Sequence, residues 1–165
     1  MSINQLYHTW LNNIIQLYPN QPITWLRNMA WLMAGIFQSK YVALSKVANK
    51  IPGSGTMNSI TRRLDRFLEN PAIRIRDWYA SIVKQFLVQM QGQEYRLIVD
   101  GSKVVFEHQL LVITLAYHKR AIPLVWTWVG SSSGHSTSGR QLALLKYLHS
   151  LLPSGVGRVV QKACA

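Results

Sequence analysis

Leu97-Ile98-Val99-Asp100-Gly101-Ser102-Lys103-Val104 decides how this chain is read. The residues just before the aspartate are apolar and two of them β-branched, the types that favour extended backbone. A carboxylate set directly after such a run is costly to place. A rigid strand that fixes it suits chemistry. Phosphoryl transfer is often carried out by divalent ions clamped between carboxylates. Magnesium prefers oxygen ligands and takes one or two protein carboxylates together with substrate phosphates. The plainer alternative is an aspartate in a turn or on an exposed edge strand. Asp100 stands nearly alone, since the whole chain carries only 6 acidic residues.

Downstream, the pattern continues as strands. Leu97 to Phe106 forms the first, and Gly101 near its middle reads as a bulge. Gln109 to Tyr117 forms a second, His118-Lys119-Arg120 a turn, and Ala121 to Val129 a third strand with Trp126 and Trp128 on one side as core and sheet-face packing. Three strands with short links predict an antiparallel meander. Gly130 to Gly139 is Ser- and Gly-rich and reads as a loop. Arg140 to Leu152 predicts a helix that Pro153-Ser154-Gly155 ends, and Val156 to Val160 opens a fourth strand.

Upstream, the periodicity is helical. Ile3, Leu6, Tyr7, Trp10, Leu11, Ile14 and Ile15 recur at three- and four-residue spacing, and Pro19 and Pro22 close that helix. Thr24 is placed to cap a second helix through Phe37. A short helix over Val42 to Asn49 and a turn at Ile51-Pro52-Gly53-Ser54-Gly55 follow. Met57 to Leu68 carries Ile60, Leu64, Phe67 and Leu68 on one face and Thr61, Arg62, Arg63 and Arg66 on the rest. Glu69-Asn70-Pro71 stops it. Ile75 to Gln89 buries Trp78, Ile82, Phe86 and Leu87. Gln91-Gly92-Gln93 marks the change of pattern, giving a helical region over 1–90 and a strand-rich domain over 91–165, an α+β chain.

The charge points to a partner. Eighteen Lys and Arg against 6 acids give a net charge of +12 in 165 residues, with 48% hydrophobic content sufficient for a packed core. That balance favours a polyanion, nucleic acid before an anionic membrane surface. Ile23 to Phe37 and Leu110 to Val129 are apolar, but each is too short or too interrupted to span a bilayer. The single Cys164 allows no internal disulfide and fits a reducing cytoplasm. The first residues lack the basic and apolar regions of a secretory signal. Arg62, Arg63 and Arg66 lie on the polar side of a helix behind a turn and a shorter helix. A helix-turn-helix presents its second helix to the major groove in this way. The competing reading is a solvated basic face with local ion pairs to Asp65 and Glu69.

A meander, a helix and a fourth strand open an RNase H-like fold, and Asp100 occupies the place of that architecture's first carboxylate. The run Leu97 to Val104, with Leu115-Ala116-Tyr117-His118-Lys119-Arg120-Ala121-Ile122-Pro123-Leu124-Val125-Trp126, resembles bacterial insertion-sequence DDE transposases of the IS-four type. Ile51-Pro52-Gly53 and Arg62-Arg63-Leu64-Asp65-Arg66-Phe67-Leu68 resemble the DNA-binding region of that family. The resemblance therefore extends over about Trp25 to Val160.

The resemblance implies cut-and-paste DNA transposition, with Mg2+ or Mn2+ held by two aspartates and a glutamate. Only Asp100 carries over, as catalytic residue and metal ligand. Where the family places its second aspartate this chain reads Gln161-Lys162-Ala163-Cys164-Ala165, and the third carboxylate has no counterpart. Glu94 and Glu107 do not match the motif. The expectation is a transposase N-terminal portion, truncated before the second aspartate and inactive in strand transfer, with a non-catalytic competitor at transposon ends or a non-functional remnant as alternatives. Its partner is DNA, with a homodimer left open, and its location is the cytoplasm at the nucleoid. Arg62, Arg63 and Arg66 are the first DNA-contact candidates. Lys103, Lys119 and Arg120 are placed near the active edge as further ones. His135 in the Ser/Gly loop is a weaker candidate, and Ser136 has no base to make it a nucleophile.

Overall fold

The computed structural model describes residues 1–90, 94–105, 108–130, 138–154 and 159–163. The chain forms two compact units, Met1–Ile75 and Arg76–Ala165.

The first unit is helical. Helix α1 (Ile3–Leu17) starts at a reciprocal cap: the Gln5 amide donates to Ser2 Oγ at 3.3 Å, and the Ser2 amide donates to Gln5 Oε1 at 2.9 Å. Two otherwise unpaired donors are satisfied together. Helix α2 (Ile23–Ser39) begins after Pro22, without a side-chain cap. Thr24 therefore sits inside the first turn rather than at the cap. The fixed φ of Pro22, −55°, starts the helix earlier. Lys40, at φ 62°, ends it in the left-handed conformation. The α1 and α2 faces meet through Tyr7, which stacks on Trp31 with ring centroids 3.8 Å apart.

Helix α3 (Leu44–Ala48) and helix α4 (Met57–Leu68) complete the unit. Leu32, Val47, Ala48, Ile51, Ile60, Leu64 and Phe67 form one buried cluster. Gly35 lets α3 approach α2 closely, because a Cβ there would stand 2.5 Å from Val47 Cγ1 and 3.2 Å from the Val47 carbonyl oxygen.

The second unit is built on a four-stranded sheet in the order β3-β2-β1-β4. Strands β1 (Tyr95–Val105), β2 (His108–Tyr117) and β3 (Arg120–Gly130) form the expected antiparallel meander, and β4 (Val159–Ala163) returns parallel to β1. Helix α5 (Ile75–Gln89) precedes the sheet and helix α6 (Ser138–His149) lies between β3 and β4.

Alternation sorts the side chains. Tyr95, Leu97, Val99, Leu111, Ile113, Leu115, Val125 and Val129 form one buried face, joined by Val83 and Leu87 of α5 and Leu144 and Leu148 of α6. By this packing α5 belongs with the sheet, and the compact units divide at Ile75 and Arg76 rather than near Gln91. The Tyr95 hydroxyl, buried in that core, donates to the Leu87 carbonyl at 2.8 Å.

Two details of the meander differ from expectation. Gly101 is not a bulge: it pairs in register with Leu111, and the irregularity falls between Lys103 and Val105. A second irregularity, opposite Ile113 and Thr114, leaves Leu124 between two paired residues of β3. The β2–β3 turn consists of His118 and Lys119, with φ of 43° and 64°, closed by the pair Tyr117 and Arg120. Phe106 and the loop residues 131–137 lie outside the described residues. The helix after them starts at Ser138 rather than Arg140 and ends at His149 rather than Leu152. The described part of the fourth strand is Val159–Ala163, and the start expected at Val156 lies outside the described residues. Among the described residues no helix is long and apolar enough to cross a membrane.

Alanine at position 35 is a decisive substitution. Gly→Ala inside a helix ordinarily stabilises, by up to about 1 kcal/mol. Here the overlap with Val47 reverses the sign, and Gly35→Ala should cost about 1–3 kcal/mol in chemical denaturation. Adding Val47→Ala to that variant should cost less than Val47→Ala does in the parent chain.

Burial also sets an alkaline limit. It pushes the Tyr18 phenol up to about 12 and moves Tyr79 and Tyr95 upward. The folded state thus holds these protons more tightly than the unfolded chain. Their stabilising effect is full below the ordinary phenol value near 10 and disappears as pH rises through the folded value. The urea midpoint should hold steady from roughly pH 7 to 9 and fall between about 10 and 12. Tyr18→Phe should remove part of that fall.

Candidate functional site

Asp100 lies in the middle of β1, paired with Val112 on β2, rather than at the strand's end. Its neighbours Val99 and Leu97 point into the core, so alternation turns Asp100 to the opposite face with Ile98. Asp100 is exposed, and Ile98 and Val112 are half-buried. The Ser102 hydroxyl, two residues on and on the same face, donates to Asp100 Oδ2 at 3.3 Å. β1 is an interior strand, flanked by β2 and β4. The described pairing with β4 sets Lys162 opposite Ile98 and Ala163 opposite Val99, so the fourth strand brings no carboxylate to those positions beside Asp100.

Among the described residues, a divalent ion at this point would find one carboxylate and one hydroxyl. Among the described residues, no group of three His, Cys, Asp or Glu side chains comes together. A two-ion centre needs bridging and terminal carboxylates around the reacting phosphate. The described donor set at Asp100 does not make up one by itself. Glu94 is taken up elsewhere, in an exposed ion pair with Arg96 at 3.4 Å. Glu107, His135, Ser136 and Cys164 lie outside the described residues.

The structure separates the sheet cations named from the sequence. Lys103 is at the β1 end that pairs with Gln109, three residues beyond Asp100. Lys119 is in the turn at the other end of β2 and Arg120 opens β3 just after it, paired with Tyr117. Five residues separate Tyr117 from Val112, the partner of Asp100, a distance of about 17 Å along the strand. Lys103, Lys119 and Arg120 therefore do not converge on one edge.

Helix α4 does gather its cations. Thr56 caps it, accepting from the Ser59 amide at 3.3 Å. Ile60, Leu64 and Phe67 are buried, which commits the other side of the helix to solvent. Arg62, Arg63 and Arg66 are all exposed there. Arg66 Nε donates to the Arg62 carbonyl at 3.3 Å, which holds that side chain back along the helix. Neither Asp65 nor Glu69 forms a described ion pair with the three arginines.

Sequence reasoning missed two features. Gln109 is buried in the sheet, with its Oε1 unpartnered, and its Nε2 lies 2.7 Å from where a Gly101 Cβ would be. The end of the Gln109 side chain lies over Gly101, a proximity that only the β1–β2 register exposes. The other is a cleft between β3, α5 and α6 that brings together Arg76, Arg140, Trp128 and Tyr147. Trp126 is half-buried with its ring 4.7 Å from that of Tyr79, whereas Trp128 is 59% exposed and so is not core packing.

No protein-family model, curated protein or solved structure matches this chain.

An orphaned buried acceptor is costly, by about 1–3 kcal/mol. Gln109→Met keeps the shape and removes the amide, so the variant should gain about 1–2 kcal/mol in urea unfolding. A loss of stability would mean that the amide has a partner in solution.

Proposed function

We propose that this chain is a DNA-binding protein, and that its lineage is the DDE transposases of the IS-four type. The observation that carries the first part is helix α4: a capped helix with a buried apolar side and Arg62, Arg63 and Arg66 exposed on the other. At 12 residues it is about 18 Å long, a length that lies readily in a major groove. Guanidinium groups reach both phosphates and guanine edges there. The unit that carries α4 has Asp65 and Glu69 as its only acids against a larger set of Lys and Arg, so its field favours a polyanion.

The lineage rests on the sequence motif around Asp100, supported by an interior β1 strand, the meander and a parallel β4 reached through α6. We read this arrangement as the opening of an RNase H-like domain. With one carboxylate at the site among the described residues, the activity assigned to this chain is binding DNA.

The test is fluorescence anisotropy on a labelled mixed-sequence duplex of about 20 base pairs across a salt series. Changing Arg62, Arg63 and Arg66 together to Ala should weaken binding by roughly 10- to 100-fold and lower the salt slope by about 2–3, since each phosphate contact contributes close to one unit. Unchanged affinity and slope would remove α4 as the contact surface. Asp100→Asn should leave duplex affinity at or slightly above that of the parent chain.

A further inference from the structure

The cleft in the second unit has a volume of about 280 Å³ and is lined by Arg76, Thr127, Trp128, Arg140, Leu144 and Tyr147, among others. Three elements contribute: α5 supplies Arg76, β3 supplies Thr127 and Trp128, and α6 supplies the rest. Both guanidinium groups are anchored by the protein. Arg76 lies over the Tyr147 ring, its guanidinium carbon 4.9 Å from the centroid. This leaves the edge of the guanidinium, where its N–H donors are, free for a ligand. Arg140 Nη1 donates to the Gly130 carbonyl at 3.2 Å, which uses one of five donors.

Neither arginine pairs with a carboxylate among the described residues. The nearest acid in sequence, Asp77, is one step along α5 and so lies about 100° round the helix from Arg76. Two oriented cations without counter-charge, beside an aromatic ring that is 59% exposed, are matched by a ligand that is both anionic and planar. The volume is just under the usual small-ligand range of about 300–1,000 Å³. It holds a unit the size of one nucleotide and excludes a duplex.

We infer that this cleft binds a single strand of nucleic acid, taking one phosphodiester between Arg76 and Arg140 and stacking the adjoining base on Trp128. Aromatic platforms beside a basic groove hold single strands without regard to sequence. The inference shares with the α4 reading only the class of ligand, and the two surfaces are tested separately.

The experiment is anisotropy of the full chain on a fluorescein-labelled single strand of about 12 nucleotides, in parallel with the mixed-sequence duplex. Arg76→Gln with Arg140→Gln should weaken single-strand binding by roughly 10- to 100-fold and lower the salt slope by about 1–2. Trp128→Ala should weaken it by roughly 5- to 100-fold with the slope unchanged, because stacking releases no counterions. Single-strand affinity and slope that survive the double substitution overturn the proposal. Should the double variant unfold, Trp128→Ala at its exposed position decides alone, and unchanged affinity there overturns it. Competition by a free mononucleotide at the concentration that saturates with the 12-mer would assign the cleft to nucleotides and overturn the strand assignment. Loss of single-strand binding in the cleft variants, with duplex binding indifferent to the α4 variants, would sink the α4 reading and leave the cleft standing. The opposite pattern would sink the cleft and leave α4.

Discussion

The register of β1 against β2 is the constraint on which the second unit depends. Leu97 faces Leu115, Val99 faces Ile113 and Gly101 faces Leu111, so three successive rungs put apolar groups on the side that α5 and α6 cover. Side chains alternate along a strand, and a slip of one residue would send this whole set to the other face. It would also drive Asp100 into the apolar core, where an unpaired carboxylate is not tolerated. The hydrophobic pattern therefore holds Asp100 at the surface of an interior strand.

Much of this architecture is legible in the sequence where local signals agree. The bounds of α4 and α5 follow from apolar spacing and from Asn70-Pro71 between them. The meander follows from three apolar runs and a short link at His118. Signals failed where two compete. Thr24 has the chemistry of a cap, but Pro22 fixes the backbone two residues earlier. Gly101 has the composition of a bulge, yet it pairs in register with Leu111 and lies under the end of Gln109, a neighbour across the ladder. The Arg76 and Arg140 cleft draws on residues 64 positions apart, and no local pattern announces it. Lys103 and Lys119 belong to the same meander as Asp100, but a strand is rigid and long, and the meander carries them to opposite ends.

The two units use arginine differently. On α4 the three guanidinium groups fan from one helical turn to the next, and of the three only Arg66 is tied back, to the Arg62 carbonyl. In the cleft each guanidinium is held by a second group, a ring or a carbonyl. The first arrangement suits a long, uniform run of charge that tolerates sliding. The second suits a small ligand with one orientation, because less side-chain freedom remains to be lost on binding.

The His118-Lys119 turn affects how the sheet is assembled. Two-residue hairpin loops with positive φ at both positions are usually made with Asn and Gly, which adopt that backbone readily. His118 and Lys119 adopt it at a cost. Such a turn takes its shape from the strands instead of imposing one on them. The closure of β2 on β3 must then be driven by Leu111, Ile113, Val125 and their partners, and the hairpin has no strong local nucleus. During synthesis the second unit would gain its order late and all at once, with the apolar strands unprotected until α6 arrives to cover them.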